Sequence, residues 1–195
     1  MNGKTFALTG GIGSGKSTAL SIIHSAGFFT LTSDGIVSDL YKKNKIKRIL
    51  KRLFPTAVKG FFCLKIDRAE IARIAFSNPD KHKALTDTIT PLVLKEIIKR
   101  SNKIKSPVFV EVPLLFECGY EKYFDGVIVI TRPLKDRIES VKQRSNLTEE
   151  QIKARINKQT DYDSKDLSLY HVIVNDGDQI ALKDKVLSLV NNLTK

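Results

Sequence analysis

The sequence predicts an α/β fold built on a five-stranded parallel sheet. Three observations point there. Short, nearly continuous apolar strands alternate with helical patterns, as strands buried on both faces require. The first strand runs directly into a glycine cluster and then a helix. A helix-only stretch from about 35 to 105 is longer than one crossover needs, which marks an inserted subdomain. At 195 residues the chain suits one domain, or one domain carrying a small insertion.

The elements follow in order. Phe6-Ala7-Leu8-Thr9 is the first strand, and Gly10 to Gly15 the glycine cluster after it. A helix carrying Leu20, Ile23 and His24 stops at Gly27. Phe28 to Thr32 is aromatic and β-branched, a second strand. Helical patterns fill about Asp34 to Leu53, followed by a loop around Pro55-Thr56 and Gly60. More helix is expected over Asp67 to Phe76, Pro79 to Ile89 and Pro91 to Asn102, with a break at the second proline. Val108 to Val112, Gly126 to Thr131 and His171 to Asn175 are the remaining strands. Between the last two lie basic helices, Pro133 to Arg144 and Thr148 to Gln159. Pro133 suits a first helical position, and Thr148 with Gln151 has capping-box spacing. In the first of these helices Leu134, Ile138 and Val141 read as the core stripe, leaving Arg137 and Arg144 off it. A last amphipathic helix carries Ile180, Val186, Leu187 and Val190.

Lys and Arg total 33 against 21 Asp and Glu, a formal net charge of +12. A basic surface favours anionic partners: nucleic acid, an acidic membrane or a phosphorylated small molecule. No apolar run approaches a membrane span, and Met1 to Thr9 has no signal-peptide layout. The two cysteines, Cys63 and Cys118, have no metal-ligand spacing, and a reducing cytoplasm is expected. His24, His82 and His171 have no partner at ligand spacing either.

Gly10-Gly11-Ile12-Gly13-Ser14-Gly15-Lys16-Ser17 matches the phosphate-binding loop pattern G-x-x-x-x-G-K-[ST]. Glycines let successive backbone N–H groups curl round a phosphate at a helix N-terminus. Lys16 can bridge β- and γ-phosphate oxygens, and the Ser17 hydroxyl can ligate Mg²⁺. A chance match in a chain this long is on the order of 1% from average composition, and the strand-loop-helix context is present. No Asn-Lys-x-Asp guanine motif occurs. A helical insertion and a basic segment before the last strand look like a small-molecule kinase, in which an acceptor subdomain and a lid close over two substrates.

Several blocks in order resemble the dephospho-coenzyme A kinase family over essentially the whole chain. Ala7 to Thr18 is similar to that family's N-terminal block. Ser33-Asp34 stands where the family has Asp-Ala-Asp, and Val112-Pro113-Leu114-Leu115-Phe116-Glu117 is similar to its internal motif. Gln143-Arg144 matches its lid motif and Asn175-Asp176-Gly177 its Asn-x-Gly. Three positions depart: Thr32 replaces the first Asp of Asp-x-Asp, Thr90-Pro91 replaces a His-Pro pair, and Ser145 stands where an acidic residue is common.

The resemblance implies a P-loop NTPase-type three-layer fold with a helical substrate subdomain and a helical lid. It is read as a single domain, with core about 1–34, 106–132 and 168–195, acceptor subdomain about 35–105 and lid about 133–167. The implied reaction moves the ATP γ-phosphate to the ribose 3′-hydroxyl of dephospho-CoA, with Mg²⁺ as cofactor. Lys16, Asp34 and Arg144 are the implied catalytic residues. Gly11, Ile12, Gly13, Ser14, Gly15, Lys16, Ser17, Thr18, Arg155 and Asn175 would contact nucleotide. Asp34, Arg68 and Leu115 would contact the acceptor, and Ser17 with Glu111 the metal.

Each candidate has an ordinary alternative. Asp34 suits a helix N-cap. Glu111 ends an apolar strand, where a carboxylate can hold a magnesium-bound water or merely face solvent. Glu117 can simply cap the segment after Pro113. Arg144 and Arg155 can close onto transferring phosphate oxygens or form a solvated basic face. The run from Lys42 to Arg52 carries seven basic residues and no acid, with Ile46, Ile49, Leu50 and Leu53 at helical spacing. It suits steering of substrate pyrophosphate or a solvated face. Nucleic acid is disfavoured because the run has no aromatic platform. The rival functions are a nucleoside or nucleotide kinase on the same scaffold and a nucleotide-gated nucleic-acid-binding module. The expected partner is dephospho-CoA, not nucleic acid or membrane, and the expected state a monomer or weak homo-oligomer.

Overall fold

A computed structural model describes residues 3–60, 63–145 and 147–195. In chain order the elements are β1 (Thr5–Thr9), α1 (Lys16–Ser25), β2 (Phe29–Thr32), α2 (Ser33–Lys42), α3 (Asn44–Leu53), β3 (Val58–Lys59), β4 (Lys65–Ile66), α4 (Arg68–Ser77), α5 (Pro79–Ser101), β5 (Val108–Glu111), β6 (Gly126–Thr131), α6 (Leu134–Arg144), α7 (Glu149–Ile156), β7 (His171–Val174) and α8 (Gln179–Leu193). Two compact units result, residues 1–32 with 100–195, and residues 33–99. None of the helices among the described residues is long and apolar enough to cross a membrane.

The first unit is a five-stranded sheet in the order β2-β5-β1-β6-β7, with every neighbouring pair parallel. Phe6, Ala7 and Leu8 of β1 are all buried, so both faces of this central strand are covered, as its unbroken apolar run requires. On one face, Phe6, Leu8, Phe109, Ile128, Ile130 and Ile173 meet residues of α1 and α8. Phe6 stacks on Phe109 with centroids 5.2 Å apart. Each such side chain contributes about 1.5–3 kcal/mol by leaving water, so this layer is the rigid base of the sheet.

Two side chains expected in the core lie outside it. Ile180 of α8 and Leu134 of α6 are 70% and 46% exposed. In α8 the stripe is Leu182, Val186 and Val190. In α6 the buried residues are Arg137, Ile138 and Val141. Periodicity puts Leu134 on the buried face and Arg137 off it; the structure exposes the leucine and buries the arginine. Pro133 is the N-cap of α6, one residue ahead of the helix proper. The Thr148–Gln151 capping box is formed on α7, with Thr148 N–H donating to Gln151 Oε1 at 3.0 Å.

The second unit departs from the helix-only expectation. Val58–Lys59 and Lys65–Ile66 form a short antiparallel hairpin where only a loop was expected. The helical patterns expected over 34–53 are two helices, with Lys43 extended between them as the N-cap of α3. In an unbroken helix, Leu40 and Ile46 would point about 120° apart at 3.6 residues per turn. The break lets Leu40 and Ile36 of α2, and Ile46 and Leu50 of α3, all be buried. Pro91 does not split α5, which runs continuously from Pro79 to Ser101. Ile89, Val93, Leu94 and Ile97 are buried on either side of the proline. Their burial outweighs the roughly 3 kcal/mol that an internal proline costs.

Candidate active site

Parallel strands bring their carboxyl ends to one edge, where open α/β sheets bind ligands. Leu8, Glu111 and Thr32 stand in register across β1, β5 and β2 at that edge. The glycine cluster leaves β1 here and turns into α1. Gly13 and Gly15 take φ of +77° and +103°, a region closed to most side chains. Space is equally restrictive. A Cβ on Gly13 would lie 2.5 Å from the Arg137 carbonyl oxygen, and one on Gly15 2.6 Å from Asn175 Nδ2. A Cβ on Gly11 would run into the Arg137 guanidinium.

Lys16 opens α1 and is buried. Its ammonium donates to the carbonyl oxygens of Gly10 and Gly11 at 2.8 and 2.9 Å. The cation is therefore held over the first half of the loop. Burial pushes its pKa down to about 8; Glu111 opposes that shift, while Arg144 and Arg137 add to it. The Ser17 hydroxyl donates to Glu111 Oε1 at 3.1 Å, pairing two oxygen donors beside the loop. Asn175, just past β7, is buried and donates from Nδ2 to the Ser14 carbonyl at 2.8 Å. It buttresses the loop from behind.

Other contacts on the loop come from residues that periodicity and motif did not single out for it. Arg137 Nε donates to the Ile12 carbonyl at 3.1 Å. Gln159 Oε1 accepts from the Ile12 N–H at 2.7 Å. The Tyr162 hydroxyl pairs with Thr9 Oγ1 at 3.2 Å in a buried contact. Glu117 Oε1 accepts from Thr160 N at 2.7 Å, which fixes the start of the same segment. The sequence leaves Arg137 off the core stripe beside the lid arginines and carries the second basic helix to Gln159. In the structure α7 ends at Ile156, so Gln159 lies past the helix, and Tyr162 sits in a polar stretch with no period.

The other expected residues fall as follows. Thr18 lies in the first turn of α1. Arg144 and Arg155 are exposed on α6 and α7, and the Arg144 charge is felt at Lys16. Leu115 is fully buried, so its side chain serves packing. In the second unit, Asp34 is exposed in the first turn of α2; because α2 begins at Ser33, Asp34 is inside the helix rather than its N-cap. Arg68 opens α4, donates to Ser38 Oγ at 3.0 Å and lies over the Tyr41 ring at 5.3 Å. In the basic run, Lys42 pairs with Asp39 at 2.8 Å and Lys43 with Glu96 at 3.3 Å.

A phosphate loop backed by a lysine and a serine–carboxylate pair is common to many phosphotransferases, so relatives are needed to narrow it. A dephospho-CoA kinase of Thermus thermophilus is 35% identical over 188 residues, spanning 96% of this chain and 90% of that protein. A crystal structure from Thermus thermophilus superposes with a TM-score of 0.86 at 32% identity, covering all of both chains. The dephospho-CoA kinase of Campylobacter jejuni superposes with a TM-score of 0.69 at 27% identity, over 97% of this chain and 96% of that one. The family profile described as dephospho-CoA kinase matches residues 5–181, from the first residue of β1 into the first turn of α8. On that match, which takes in the loop, Glu111, Arg137 and Asn175 together, the chain belongs to the dephospho-CoA kinase family.

Proposed function

We propose that the protein transfers the γ-phosphate of ATP to the ribose 3′-hydroxyl of dephospho-CoA, giving CoA and ADP. The observation that carries this reading is the phosphate loop, with Lys16 folded over it and Ser17 paired to Glu111, in a chain of this family. The loop N–H groups and Lys16 bind the β- and γ-phosphates. Asp34, two residues past β2, takes the proton of the 3′-hydroxyl as that oxygen attacks the γ-phosphorus and the bond to the ADP oxygen breaks. Charge develops on the transferring oxygens, and Arg144 and Arg155 stabilise it as α6 and α7 act as the lid. Arg68 contacts the acceptor. Asn175 acts behind the loop, through Ser14.

Ser17 and Glu111 are hard oxygen donors of the kind Mg²⁺ takes when phosphates and water complete its shell. They fit the ion and would hold it; when bound, Mg²⁺ offsets negative charge on the phosphates. Both cysteines remain thiols, which suits a reducing cytoplasm.

The test is ADP release from ATP and Mg²⁺ with dephospho-CoA, with a panel of nucleoside monophosphates, and with no acceptor. ADP formed only with dephospho-CoA, together with CoA by mass, is the expected result. Turnover with a nucleotide acceptor alone would make the protein a nucleotide kinase on the same scaffold.

A further inference from the structure

Ile12 has its N–H, its C=O and its side chain all engaged by the α6–α7 part of the chain. Its N–H is held by Gln159 and its carbonyl by Arg137, from positions 147 and 125 residues away. Its side chain packs against Ile138, Val141 and Ile152 of α6 and α7. The glycines on either side make this possible. Gly11 leaves room for the Arg137 guanidinium, and Gly13 for the Arg137 backbone. The Gly-Gly-Ile-Gly opening is thus shaped by two different demands. Gly13 supplies a left-handed turn, and Gly11, Ile12 and Gly13 are together fitted to α6.

We propose that Arg137 and Gln159 are positioning residues for phosphoryl transfer: they hold the two peptide units that flank the Ile12 Cα and fasten the phosphate loop to the α6–α7 part of the chain. This rests on the reading that the loop holds the ATP phosphates. Neither side chain touches the reacting atoms in this role. They act by fixing the backbone from which the following N–H groups are aimed. The arrangement also ties the loop to the helices that carry Arg144 and Arg155. A backbone held at two hydrogen bonds and a packed side chain has little freedom to adjust without its neighbours.

The variants Gln159→Met and Arg137→Met each remove one grip while keeping an unbranched side chain of similar reach. ATP binding is titrated directly by calorimetry, without acceptor, beside KM and kcat for ATP and for dephospho-CoA. Amide hydrogen exchange is followed over residues 11–13. The expected result is ATP affinity and KM weakened about fivefold to tenfold in each variant, with KM for dephospho-CoA within twofold of wild type. The Ile12 amide exchanges faster in Gln159→Met and stays protected in Gln159→Glu, which keeps an acceptor oxygen. Because both grips act on one residue, the double variant loses less than the product of the single effects. Wild-type ATP affinity and exchange in Gln159→Met would overturn the proposal, as would single effects that multiply fully. Gln159 is only half-buried, so its variant carries the test if Arg137→Met fails to fold. A wild-type protein that takes no ATP would overturn the phosphate-loop reading itself. A wild type that binds ATP, beside a Gln159→Met variant that binds it equally, would overturn the positioning role alone.

Discussion

Ser17 Oγ donates to Glu111 Oε1 at 3.1 Å, joining the first turn of α1 to the last residue of β5. The two residues are 94 apart in sequence, and the pairing depends on β1 and β5 ending together in parallel register. In the proposed function this hydroxyl and carboxylate each supply an oxygen ligand to the octahedral shell that Mg²⁺ takes. Glu111→Gln keeps the shape and a carbonyl acceptor for Ser17, but removes the negative charge. The Mg²⁺ concentration giving half-maximal ADP release should rise at least about tenfold, as expected when a carboxylate ligand is neutralised. An unchanged magnesium titration would remove Glu111 from the metal's shell.

Lys16 gives the activity a definite pH dependence. In the folded chain burial brings its pKa down to about 8, against 10.5 for an ordinary lysine. The ammonium form binds phosphate, so kcat/KM for ATP should hold below about pH 8 and fall as pH rises through it. For stability the sign is opposite. Between about 8 and 10.5 the unfolded chain keeps a proton that the folded chain has lost, so this group makes the nucleotide-free protein more stable as pH rises across that window. ATP binding restores the proton, and calorimetry at about pH 8.5 in buffers of different ionisation heat should show proton uptake. Lys16→Arg, with a cation that does not titrate there, should lose the basic limb near 8. A limb unchanged in that variant would assign it to another group.

Asp34 stands two residues beyond Thr32, the β2 residue in register with Glu111. By the resemblance, Thr32 holds the place of the first acid of an Asp-x-Asp, and the proposed function gives the acceptor's proton to Asp34. Asp34→Asn should lower kcat by at least about a hundredfold, the scale of a lost general base, with ATP affinity little changed. Near-wild-type turnover would give the proton to another acceptor while leaving the phosphate loop's role intact.

What the sequence disclosed followed from how many constraints acted on each residue. The central strands were legible because burial on both faces demands unbroken apolar runs, as at Val127 to Ile130. The more exposed edge strands β2 and β7 were legible by their aromatic and β-branched residues. The loop was legible because φ and space both exclude side chains at Gly13 and Gly15. The Thr148 cap was legible because its two hydrogen bonds close within four residues. The β3–β4 hairpin was not, since two residues per strand carry no period. The continuity of α5 through Pro91 was not legible, because the burial of Ile89, Val93 and Ile97 on either side of it is a tertiary constraint that a local proline rule does not contain. Arg137 was hidden for a related reason. Its partner is a carbonyl 125 residues away, and helical spacing alone assigns a cation to solvent. Gln159 shares that cause, as its acceptor role exists only once the end of β1 and the segment after α7 are side by side.

Asn175 offers the clearest separation of loop support from phosphate contact. Its Nδ2 donates to the Ser14 carbonyl at 2.8 Å, and the side chain is only 7% exposed. Asn175→Ala would leave that carbonyl without its donor, at about 1–3 kcal/mol for a buried group left unsatisfied. Asn175→Asp keeps the volume but sets a carboxylate oxygen against a carbonyl oxygen, and should be the more damaging of the two. Thermal unfolding should therefore rank wild type above Asn175→Ala above Asn175→Asp. KM for ATP should rise in the same order, while KM for dephospho-CoA stays put, because the lost contact acts on the loop. Were Asn175→Asp as stable as wild type, with ATP affinity intact, the Ser14 carbonyl would have to draw its hydrogen bond from elsewhere, and Asn175 would lose its place behind the loop.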